Sequence, residues 1–475
     1  MVILLFCLRY LYFRLVQFLG FGSVLWSIYW LVLPYLCSSV KRRQTCDPPT
    51  DCVDTSDCPA SAVHLPLRQS TPHLNCYWAP CMLRRLIAAF LILVALAVVV
   101  AWCNPDLWKD RIPGPWKDRI KGWYATPLEL KSLKLPAGFA ISVYAKTESP
   151  RMMAFSPGGT LLTTSEAEGT VTALPDPQHT GRASARVAVL KDLNGPHGIA
   201  FHKGRLYVAE VTRLVRYDWD ESRLQATDGA VIAKLPESGE HMTRTILFAN
   251  NKLYVSAGSS CNVCMESDPR RAAVSEMNED GSDAHVFARG LRNAVGLAFN
   301  ERTGTIWATD NGRDWLGDDL PPDEIDDLGL GGGDFGWPYC YGNRVADTSF
   351  SGTPTRCRNT IPPRVELQAH SAPLGLVFYR GAMFPAEYQG DLFVAFHGSW
   401  NRSVPTGYKV IRVKMNDREE PEAVEDFITG WLPPGETRKG KWMGRPVGLA
   451  IGPDGTLYIS DDGSGSIYRV TWRGR

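Results

Sequence analysis

The amino-acid sequence predicts an all-β fold, a six-bladed β-propeller that is preceded by N-terminal hydrophobic (signal or anchor) segments. One pattern recurs six times between residues 153 and 463: an apolar strand, a turn with Gly, Asn or Asp, and a second strand of the Leu-Tyr-Val type. Almost no long helical periodicity interrupts the copies. The anchor residues of the six first strands are Phe155, Phe201, Phe248, Phe299, Phe378 and Ile451.

The spacing of these anchors favours blades of one ring. The first four lie 46, 47 and 51 residues apart, close to the length of a four-stranded blade of about 40–50 residues. The last two intervals, 79 and 73 residues, require insertions. A free strand at residues 139–145 precedes the first copy; it would complete the last blade and remove an exposed sheet edge. The rival architecture, a stack of separate sandwiches, predicts spacings of about 100 residues and no closure.

Composition divides the chain into two unlike parts. Lys plus Arg (51) nearly equal Asp plus Glu (50), so we expect no nucleic-acid partner, and an apolar share of 44% excludes a disordered chain. Of the 12 cysteines only Cys261, Cys264, Cys340 and Cys357 lie in the repeat region. The others precede it, at Cys7, Cys37, Cys46, Cys52, Cys58, Cys76, Cys81 and Cys103.

The N-terminal part predicts export. Met82-Leu-Arg-Arg followed by the apolar run 86–102 has the build of a secretory signal or an uncleaved anchor. We expect a periplasmic protein, anchored to the cytoplasmic membrane if this segment is retained, and interpret the preceding residues as an upstream extension. The alternative is a two-span membrane anchor with a cysteine-rich loop. The expected parts are 1–81 (hydrophobic, Cys-rich extension), 82–104 (signal peptide or anchor), 105–136 (linker) and 137–475 (propeller).

The cysteines of the repeat region fit an exported protein. Cys340 and Cys357 both lie in the largest insertion, residues 313–372, and we expect a disulfide between them. Cys261 and Cys264 have the spacing of a zinc or redox pair, but no second Cys or His pair lies nearby in the sequence. A local disulfide or two free thiols are the states we expect there.

One polar group precedes most of the repeat copies at a similar phase. A single histidine at such a place is more often a structural residue, but five groups at one phase indicate a shared pocket at one end of the channel. Arginines that face one point favour an anion or an electron-rich ring, because a guanidinium binds carboxylates in a bidentate manner. These groups are His197, His241, the pair Arg292-Asn293, His370 and Arg445.

Several longer motifs carry a family resemblance. They include GEHMTRTILF at 239–248, TDNGRDWLGDD at 309–319, HGSWNR at 397–402 and WMGRPVGLAIGPDGTLYISDDG at 442–463. With these motifs, residues 137–473 resemble the soluble quinoprotein sugar dehydrogenases, and most of all the L-sorbosone dehydrogenase branch. That family uses pyrroloquinoline quinone (PQQ) and has a six-bladed propeller, which agrees with the repeat count.

The resemblance implies roles by position. His241 matches the general base that takes the substrate proton, and Arg292 matches the arginine beside the reactive quinone carbonyl. The backbone carbonyls of Gly312 and Arg313 match the ligands of a Ca²⁺ ion. The sequence departs from the glucose-oxidising relatives at Val447, where they carry a second arginine. The expected cofactor-binding residues are Asn293, Arg402, Arg445, His370, His197, Trp400 and Asn401.

The function that follows is PQQ- and Ca²⁺-dependent oxidation of an aldose or a sugar-derived aldehyde such as sorbosone, with electrons passed to a quinone or a cytochrome. A Ca²⁺-dependent lactonase on a similar ring and a non-catalytic extracytoplasmic binding module are the alternatives. The acidic insertion is either a solvated surface or a second, structural Ca²⁺ site formed by Asp323, Glu324 and Asp326.

Overall fold

The computed structural model describes residues 129–237, 239–350 and 353–474. These residues form six antiparallel blades, so the predicted six-bladed propeller is confirmed. The first strand of each blade contacts the first strand of the next, and the sixth blade contacts the first. The segments expected at 1–81 and 82–104, and most of the linker 105–136, lie outside the described residues. Within the described ranges, no helix is long and apolar enough to cross a membrane.

The first three blades follow one another without large insertions. Blade 1 contains Met153–Phe155, Leu161–Ser165, Thr170–Leu174 and Val187–Leu190. Blade 2 contains Ile199–His202, Arg205–Ala209, Arg213–Asp220 and Gln225–Lys234. Blade 3 contains Ile246–Ala249, Lys252–Ala257, Ala273–Met277 and His285–Arg289, with Gly333–Asp334 added in parallel at its edge.

The last three blades carry the insertions and the closure. Blade 4 contains Leu297–Asn300, Thr305–Asp310, Asp323–Asp327 and Val365–Leu367. Blade 5 contains Pro373–Phe378, Leu392–Phe396, Lys409–Met415 and Pro421–Ile428. Blade 6 contains Pro446–Ile451, Leu457–Asp461, Ser466–Trp472 and, from the start of the propeller, Phe139–Lys146. The insertion adds the short strands Cys340–Tyr341 and Val345–Ala346 and the helix Thr353–Cys357, and 3-10 turns span Leu130–Ser132 and Ala386–Tyr388.

The predicted ring closure is present in the structure. Phe139 pairs with Trp472, and the antiparallel ladder continues to Lys146 opposite Ser466. The N-terminal strand therefore occupies the outer edge of the last blade, where backbone groups would otherwise be unpaired.

Each interface between neighbouring blades has its own apolar core, since each face of a blade must be covered by the next one. Close packing near the channel also explains two glycines. A Cβ atom at Gly296 would lie 2.1 Å from the carbonyl oxygen of Leu374, and one at Gly375 would lie 2.6 Å from that of Val447. The cores contain, around the ring, Val171 with Leu206, Leu214 with Leu253, Val274 with Ile306, Trp307 with Val394, Phe393 with Ile459, and Leu161 with Ile467.

Two disulfides tie loops to this ring. Cys340–Cys357 closes the insertion, as the sequence predicts, and its Cα atoms lie 5.8 Å apart. Cys261–Cys264 is also a disulfide, which decides between the two states expected there. It lies in the loop between the second and third strands of blade 3.

Candidate active site

The structure holds the predicted base His241 in one tautomer. The Nδ1 atom lies 3.0 Å from the carbonyl oxygen of Ser259 and 2.9 Å from its Oγ. Because this Oγ donates its own proton to the carbonyl of Cys261 at 2.6 Å, both Ser259 oxygens act as acceptors. The proton of neutral His241 is therefore on Nδ1, and Nε2 carries the lone pair that a general base needs.

The imidazole is neutral over a wide pH range. Burial lowers the pKa of His241 to about 3, and the positive charges of Arg292, Arg271 and Arg244 contribute to the shift. Two of these arginines also hold its backbone, since Arg244 and Arg271 donate to the His241 carbonyl at 3.1 and 3.4 Å. The imidazole is thus unprotonated at neutral pH.

Arg292, the second predicted catalytic residue, is almost completely buried. Its Nε and Nη2 donate to the carbonyl and Oδ1 of Asn262, both at 2.9 Å. Nη2 also lies 3.2 Å from Asp314, and Nη1 donates to the carbonyl of Asn311 at 3.1 Å. The guanidinium is therefore fixed in one orientation by several acceptors.

The backbone before blade 4 is held by a carboxylate from the same blade. Asp310, which ends the second strand, accepts the N–H groups of Arg292 at 2.8 Å and of Asn293 at 2.5 Å. A Cβ atom at Gly258 would lie 2.4 Å from Asn293 Oδ1 and 2.6 Å from His241 Cβ. His241, Arg292 and Asn293 are thus brought together, as the sequence phase predicts.

Arg445 is placed by the sixth blade in a similar way. Its N–H donates to Asp461 at 2.7 Å, and its guanidinium donates to the carbonyls of His397 and Gly398 at 3.0 and 2.9 Å. The rings of Tyr408 and Trp442 lie within 5.8 and 5.6 Å of the guanidinium carbon. These carbonyls and aromatic faces together hold the Arg445 guanidinium in place.

Two residues that were predicted to bind the cofactor, Asn401 and Arg402, form hydrogen bonds with other residues of the protein. Asn401 donates to Asp314 at 3.2 Å, and Asp314 in turn holds Arg292. Arg402 donates to the Asp318 carbonyl and to Asp319 at 2.8 Å, so it joins its loop to the insertion.

Trp400 is half exposed and meets the exposed ring of Trp315 edge to face, with the ring centroids 5.3 Å apart. Each tryptophan is adjacent in sequence to a member of the Asp314–Asn401 pair. The two rings therefore lie beside Arg292, Asp314 and Asn401, which we call the Arg292 cluster.

The two other predicted histidines are occupied by structural contacts. His197 is fully buried, and its Nε2 lies 3.4 Å from Arg151. Its Nδ1 lies 3.2 Å from Thr245 Oγ1. Because this hydroxyl donates its proton to the Val295 carbonyl, the imidazole is the donor in that contact. Burial, with Arg151, holds its pKa well below the usual value. His370 donates through Nε2 to the carbonyl of Gly317 at 2.9 Å.

A group of buried carboxylates lies behind Arg292. Oxygen atoms of Asp310, Glu324 and Asp326 lie within 4.8 Å of one another, and among the described residues neither oxygen of Asp326 has a hydrogen-bond partner. Burial, and then mutual repulsion, raises the pKa of Glu324 to about 8, and burial raises that of Asp310 to about 7. An arrangement of this kind suits a divalent cation with oxygen ligands.

The structure changes the membership of this acidic group. Asp323, expected beside Glu324 and Asp326, uses its two oxygens to accept the N–H groups of Gly312 and Ala372, both at 2.9 Å. Its place is taken by Asp310, which lies directly opposite Glu324 in the sheet. Arg313, predicted to offer its carbonyl, directs its side chain to Asp347 at 2.6 Å.

The sequence of residues 133–473 matches a family model described as TrAA12-like. The chain belongs to this family. Relatives of this TrAA12-like chain include an uncharacterised protein of Borreliella burgdorferi, 32% identical over 355 residues, which cover 71% of this chain and 90% of that protein. A PQQ-dependent sugar dehydrogenase of Hypocrea jecorina is 24% identical over 337 residues, which cover 60% of this chain and 76% of the relative.

Solved structures show the same architecture. The holo form of the pyranose dehydrogenase PQQ domain from Coprinopsis cinerea matches with a TM-score of 0.63 and 25% identity, over 71% of this chain and 97% of that one. The calcium structure of a Trichoderma reesei AA12 enzyme matches with a TM-score of 0.65 and 23% identity, over 73% and 99%. These relatives confirm the expected enzyme class, an oxidoreductase, while the narrower sorbosone branch stays a prediction.

Several residues of this TrAA12-like site were missed by the sequence analysis. Asn262 and Asp314, which hold Arg292, come from loops without a repeat signature. His397 lies 2.8 Å from Asp462, which also pairs with Arg151 at 2.8 Å, so a second histidine–carboxylate–arginine group lies beside Arg445. Asp310 could have been found from the sequence, because it ends the second strand of its blade at the same place as Asp461 in blade 6.

Proposed function

We propose that this protein is a PQQ-dependent dehydrogenase that oxidises the hydroxyl or hydrated aldehyde group of an aldose or a sugar-derived aldehyde. The observation that carries the proposal is the pair formed by His241, a neutral imidazole with its lone pair on Nε2, and the buried guanidinium of Arg292. His241 donates from Nδ1 to Ser259, and the Ser259 hydroxyl gives its own proton to the Cys261 carbonyl, so this serine is not activated as a nucleophile. The arrangement suits proton abstraction better than acyl transfer. The PQQ-dependent sugar and pyranose dehydrogenases among the relatives support the same class.

The donor set fits a planar quinone that bears carboxylates. Arg445 offers a cation, and Asn293 offers an amide beside His241. When bound, PQQ supplies the two-electron acceptor for the hydride that leaves the substrate carbon. His241 then accepts the hydroxyl proton on Nε2, and Arg292, held by Asn262 and Asp314, stabilises negative charge that develops near it.

The chain also offers oxygen ligands for Ca²⁺. The carbonyls of Gly312 and Arg313 are the ligands implied by the family resemblance, and the carboxylates of Asp310, Glu324 and Asp326 are a buried set that needs positive charge. An ion bound by the three carboxylates would hold Asp310 ionised, and Asp310 in turn accepts the backbone N–H groups of Arg292 and Asn293. Calcium would thus stabilise the geometry of the site.

The exposed tryptophans suggest where a sugar is held. Trp315 is 68% exposed and Trp400 is 50% exposed, which is unusual for such large apolar side chains. Both lie beside the Asp314–Asn401 pair, next to Arg292. We place the apolar face of a pyranose ring on this pair, with its polar edge towards the Arg292 cluster.

We further propose that the protein works outside the cytoplasm and passes electrons to a quinone or a cytochrome. Two disulfides in the described part of the chain support an oxidising compartment. Reduction of a cytochrome c or of a ubiquinone analogue by substrate-reduced enzyme identifies the acceptor.

The deciding experiment is reconstitution of the full chain with PQQ and Ca²⁺, followed by an absorbance titration and by dye reduction with aldoses and sorbosone. We expect saturable PQQ binding and PQQ-dependent turnover. Lactone hydrolysis without PQQ uptake, or absence of both activities with absence of PQQ binding, would overturn the proposal.

A further inference from the structure

The loop Gly258–Cys264 of blade 3, closed by the Cys261–Cys264 bridge, contacts both residues of the proposed chemistry; we call it the disulfide loop. It follows the strand Lys252–Ala257. At its first residue, the carbonyl of Gly258 accepts a hydrogen bond from Arg271 at 3.0 Å. The loop residues after Ser259 are only partly buried, and none of them belongs to the apolar cores of the described blades. A covalent bridge supplies the constraint that packing does not.

Ser259 joins the loop to His241 and to Arg292 at once. Its N–H donates to the Arg292 carbonyl at 2.8 Å, and its carbonyl and Oγ accept from His241 Nδ1. The same Oγ donates to the carbonyl of Cys261, the first residue of the bridge. The orientation of the imidazole is therefore linked to the conformation of the bridged segment.

Asn262, which lies between the two cysteines, holds the other side of the site. It accepts from the Arg292 guanidinium through both its carbonyl and its Oδ1. Its side chain also pairs with the backbone of Asp314, accepting the N–H at 2.8 Å and donating to the carbonyl at 3.3 Å. One residue thus fixes the guanidinium and the loop that supplies the acidic partner of that guanidinium.

We propose that the disulfide loop is a positioning clamp, in which Ser259 orients the base, Asn262 orients Arg292, and the Cys261–Cys264 bridge keeps these two contacts in register. The assignment of a reaction to His241 and Arg292 rests on the proposed function, whereas the clamp itself rests on the contacts. Neither Ser259 nor Asn262 needs to touch the substrate; both act through their neighbours.

The first test compares two double variants of the full chain. Cys261→Ser/Cys264→Ser removes the clamp's bridge, and Cys340→Ser/Cys357→Ser removes the bridge of the insertion as a matched control. We expect the first variant to lose on the order of tenfold to a hundredfold in kcat with little change in KM, because reacting groups displaced by about 1 Å lose that much. The control keeps kcat near the wild-type value. Equal kcat values in the two variants would overturn the proposal.

A pH profile separates positioning from general destabilisation. Opening of the loop admits water to His241, so its pKa rises from about 3 towards the usual value of about 6.5. The acid limb of kcat/KM therefore moves to higher pH in Cys261→Ser/Cys264→Ser and stays in place in the control. A lower folded fraction alone would reduce the amplitude without moving the limb.

A readout without PQQ keeps the clamp testable if the proposed function fails. The side-chain NMR signal of His241, assigned by its loss in His241→Gln, reports the pKa of the imidazole in the cofactor-free protein. If the wild type neither binds PQQ nor turns over, the proposed function is wrong, and this pKa still distinguishes the two double variants. An unchanged His241 pKa after removal of the Cys261–Cys264 bridge is evidence against the clamp.

Substitutions at Asn262 test its contacts individually. Asn262→Ala removes the Oδ1 acceptor for Arg292 and for the Asp314 N–H, and we expect a fall in kcat similar to that of the bridge variant. Asn262→Asp keeps an acceptor oxygen in the same place and is expected to restore most of the loss. Wild-type kcat in Asn262→Ala would show that the amide has no positioning role.

Discussion

Blades 4 and 6 use the same backbone device to present an arginine at the end of the channel. In each blade an aspartate that ends the second strand accepts the N–H of the arginine before the first strand. The distances are 2.8 Å from Arg292 to Asp310 and 2.7 Å from Arg445 to Asp461. The repeat therefore provides two similar frames, one formed by Arg292 with Asp310 and one by Arg445 with Asp461. The surroundings of each frame determine the role of its arginine.

The surroundings differ in charge. Asp461 accepts hydrogen bonds from Trp431 at 2.9 Å, Ser464 at 2.7 Å and Tyr468 at 3.2 Å, so neutral donors satisfy it. Asp310 instead lies among Glu324 and Asp326. The frame of blade 4 thus borders a cluster of buried carboxylates, whereas neutral donors complete the frame of blade 6.

The arginines differ accordingly. Arg292 has an acidic partner and lies next to the base His241, which suits a group that acts on developing charge. Arg445 donates to two backbone carbonyls and lies by two aromatic rings, which suits a fixed anchor for an anion. On the proposed function, the reaction would thus belong to blades 3 and 4 and the holding of the cofactor to blade 6.

The largest effect should come from the reacting half of the site. In His241→Gln the side chain keeps its size but loses the basic Nε2, and we expect kcat to fall by about 10²–10⁴-fold, the usual contribution of a general base. PQQ affinity, measured by absorbance titration, should stay close to that of the wild type. Retention of more than about a tenth of kcat in dye reduction would show that another group takes the proton.

A smaller effect, of a different kind, is expected in blade 6. Arg445→Met keeps much of the apolar stem but removes the charge, so PQQ should bind about 10–100-fold more weakly, as for loss of a hydrogen bond to a charged group. At saturating PQQ, kcat should recover. Arg438→Met, at an exposed arginine that pairs with Glu436, is the surface control and should change neither quantity. A fall in kcat that excess PQQ does not restore would contradict the division of labour between the blades.

Calcium tests the charge difference between the two frames directly. Addition of Ca²⁺ at 100 times its Kd should stabilise the protein by about 2.7 kcal/mol, a shift of several degrees in Tm. Asp326→Asn should lose this Ca²⁺-dependent shift and be more stable than the wild type in chelator, because a buried, unpartnered carboxylate is removed. Asp461→Asn, at the blade 6 counterpart of Asp310, should keep the shift. An equal shift in Asp326→Asn, measured by calorimetry, would exclude an ion at the acidic group.

The repeat made the fold and part of the site predictable from sequence. The copies and their spacing gave the blades, and residues 139–145 gave the closure, because these features are local patterns. His241, Arg292 and Asn293 were found because they share a phase with the repeat. His197 lies only 4 residues before its anchor Phe201, whereas His241 and Arg292 lie 7 residues before theirs. Its ring is accordingly inside the protein, between Thr245 and Arg151.

The remaining site residues depend on contacts between distant segments. Asn262 and Asp314 are 52 residues apart and meet only because two loops cross at Arg292. The acidic group was misread because neighbours in sequence alternate between the faces of a strand. Glu324 and Asp326 pair with Asp310 and Ala308 of the adjacent strand, so Asp310 lies on their face while Asp323 lies on the other. Register between strands, which a single sequence does not display, determines such a cluster.

The smallest expected effect concerns acid stability, where the two halves of the site behave alike. His397, beside Arg445, and His241, beside Arg292, both have a pKa lowered to about 3, by burial first and then by the neighbouring arginine. Since each pKa is lower in the folded than in the unfolded protein, the unfolded chain binds more protons between pH 3 and about 6.5. The free energy of unfolding should therefore decrease as the pH falls through this window.

His397→Gln should make this pH dependence shallower by up to the contribution of one proton, and His241→Gln should do the same. Chemical denaturation at several pH values measures the slope in each variant. His179→Gln, at an exposed histidine, is the control and should leave the slope unchanged. A slope that is unaltered in His397→Gln would mean that this imidazole is already protonated in the folded protein. Its 2.8 Å contact with Asp462 would allow this, because the carboxylate stabilises the imidazolium. Blade 6 would then carry a charged pair, whereas His241 keeps a neutral imidazole.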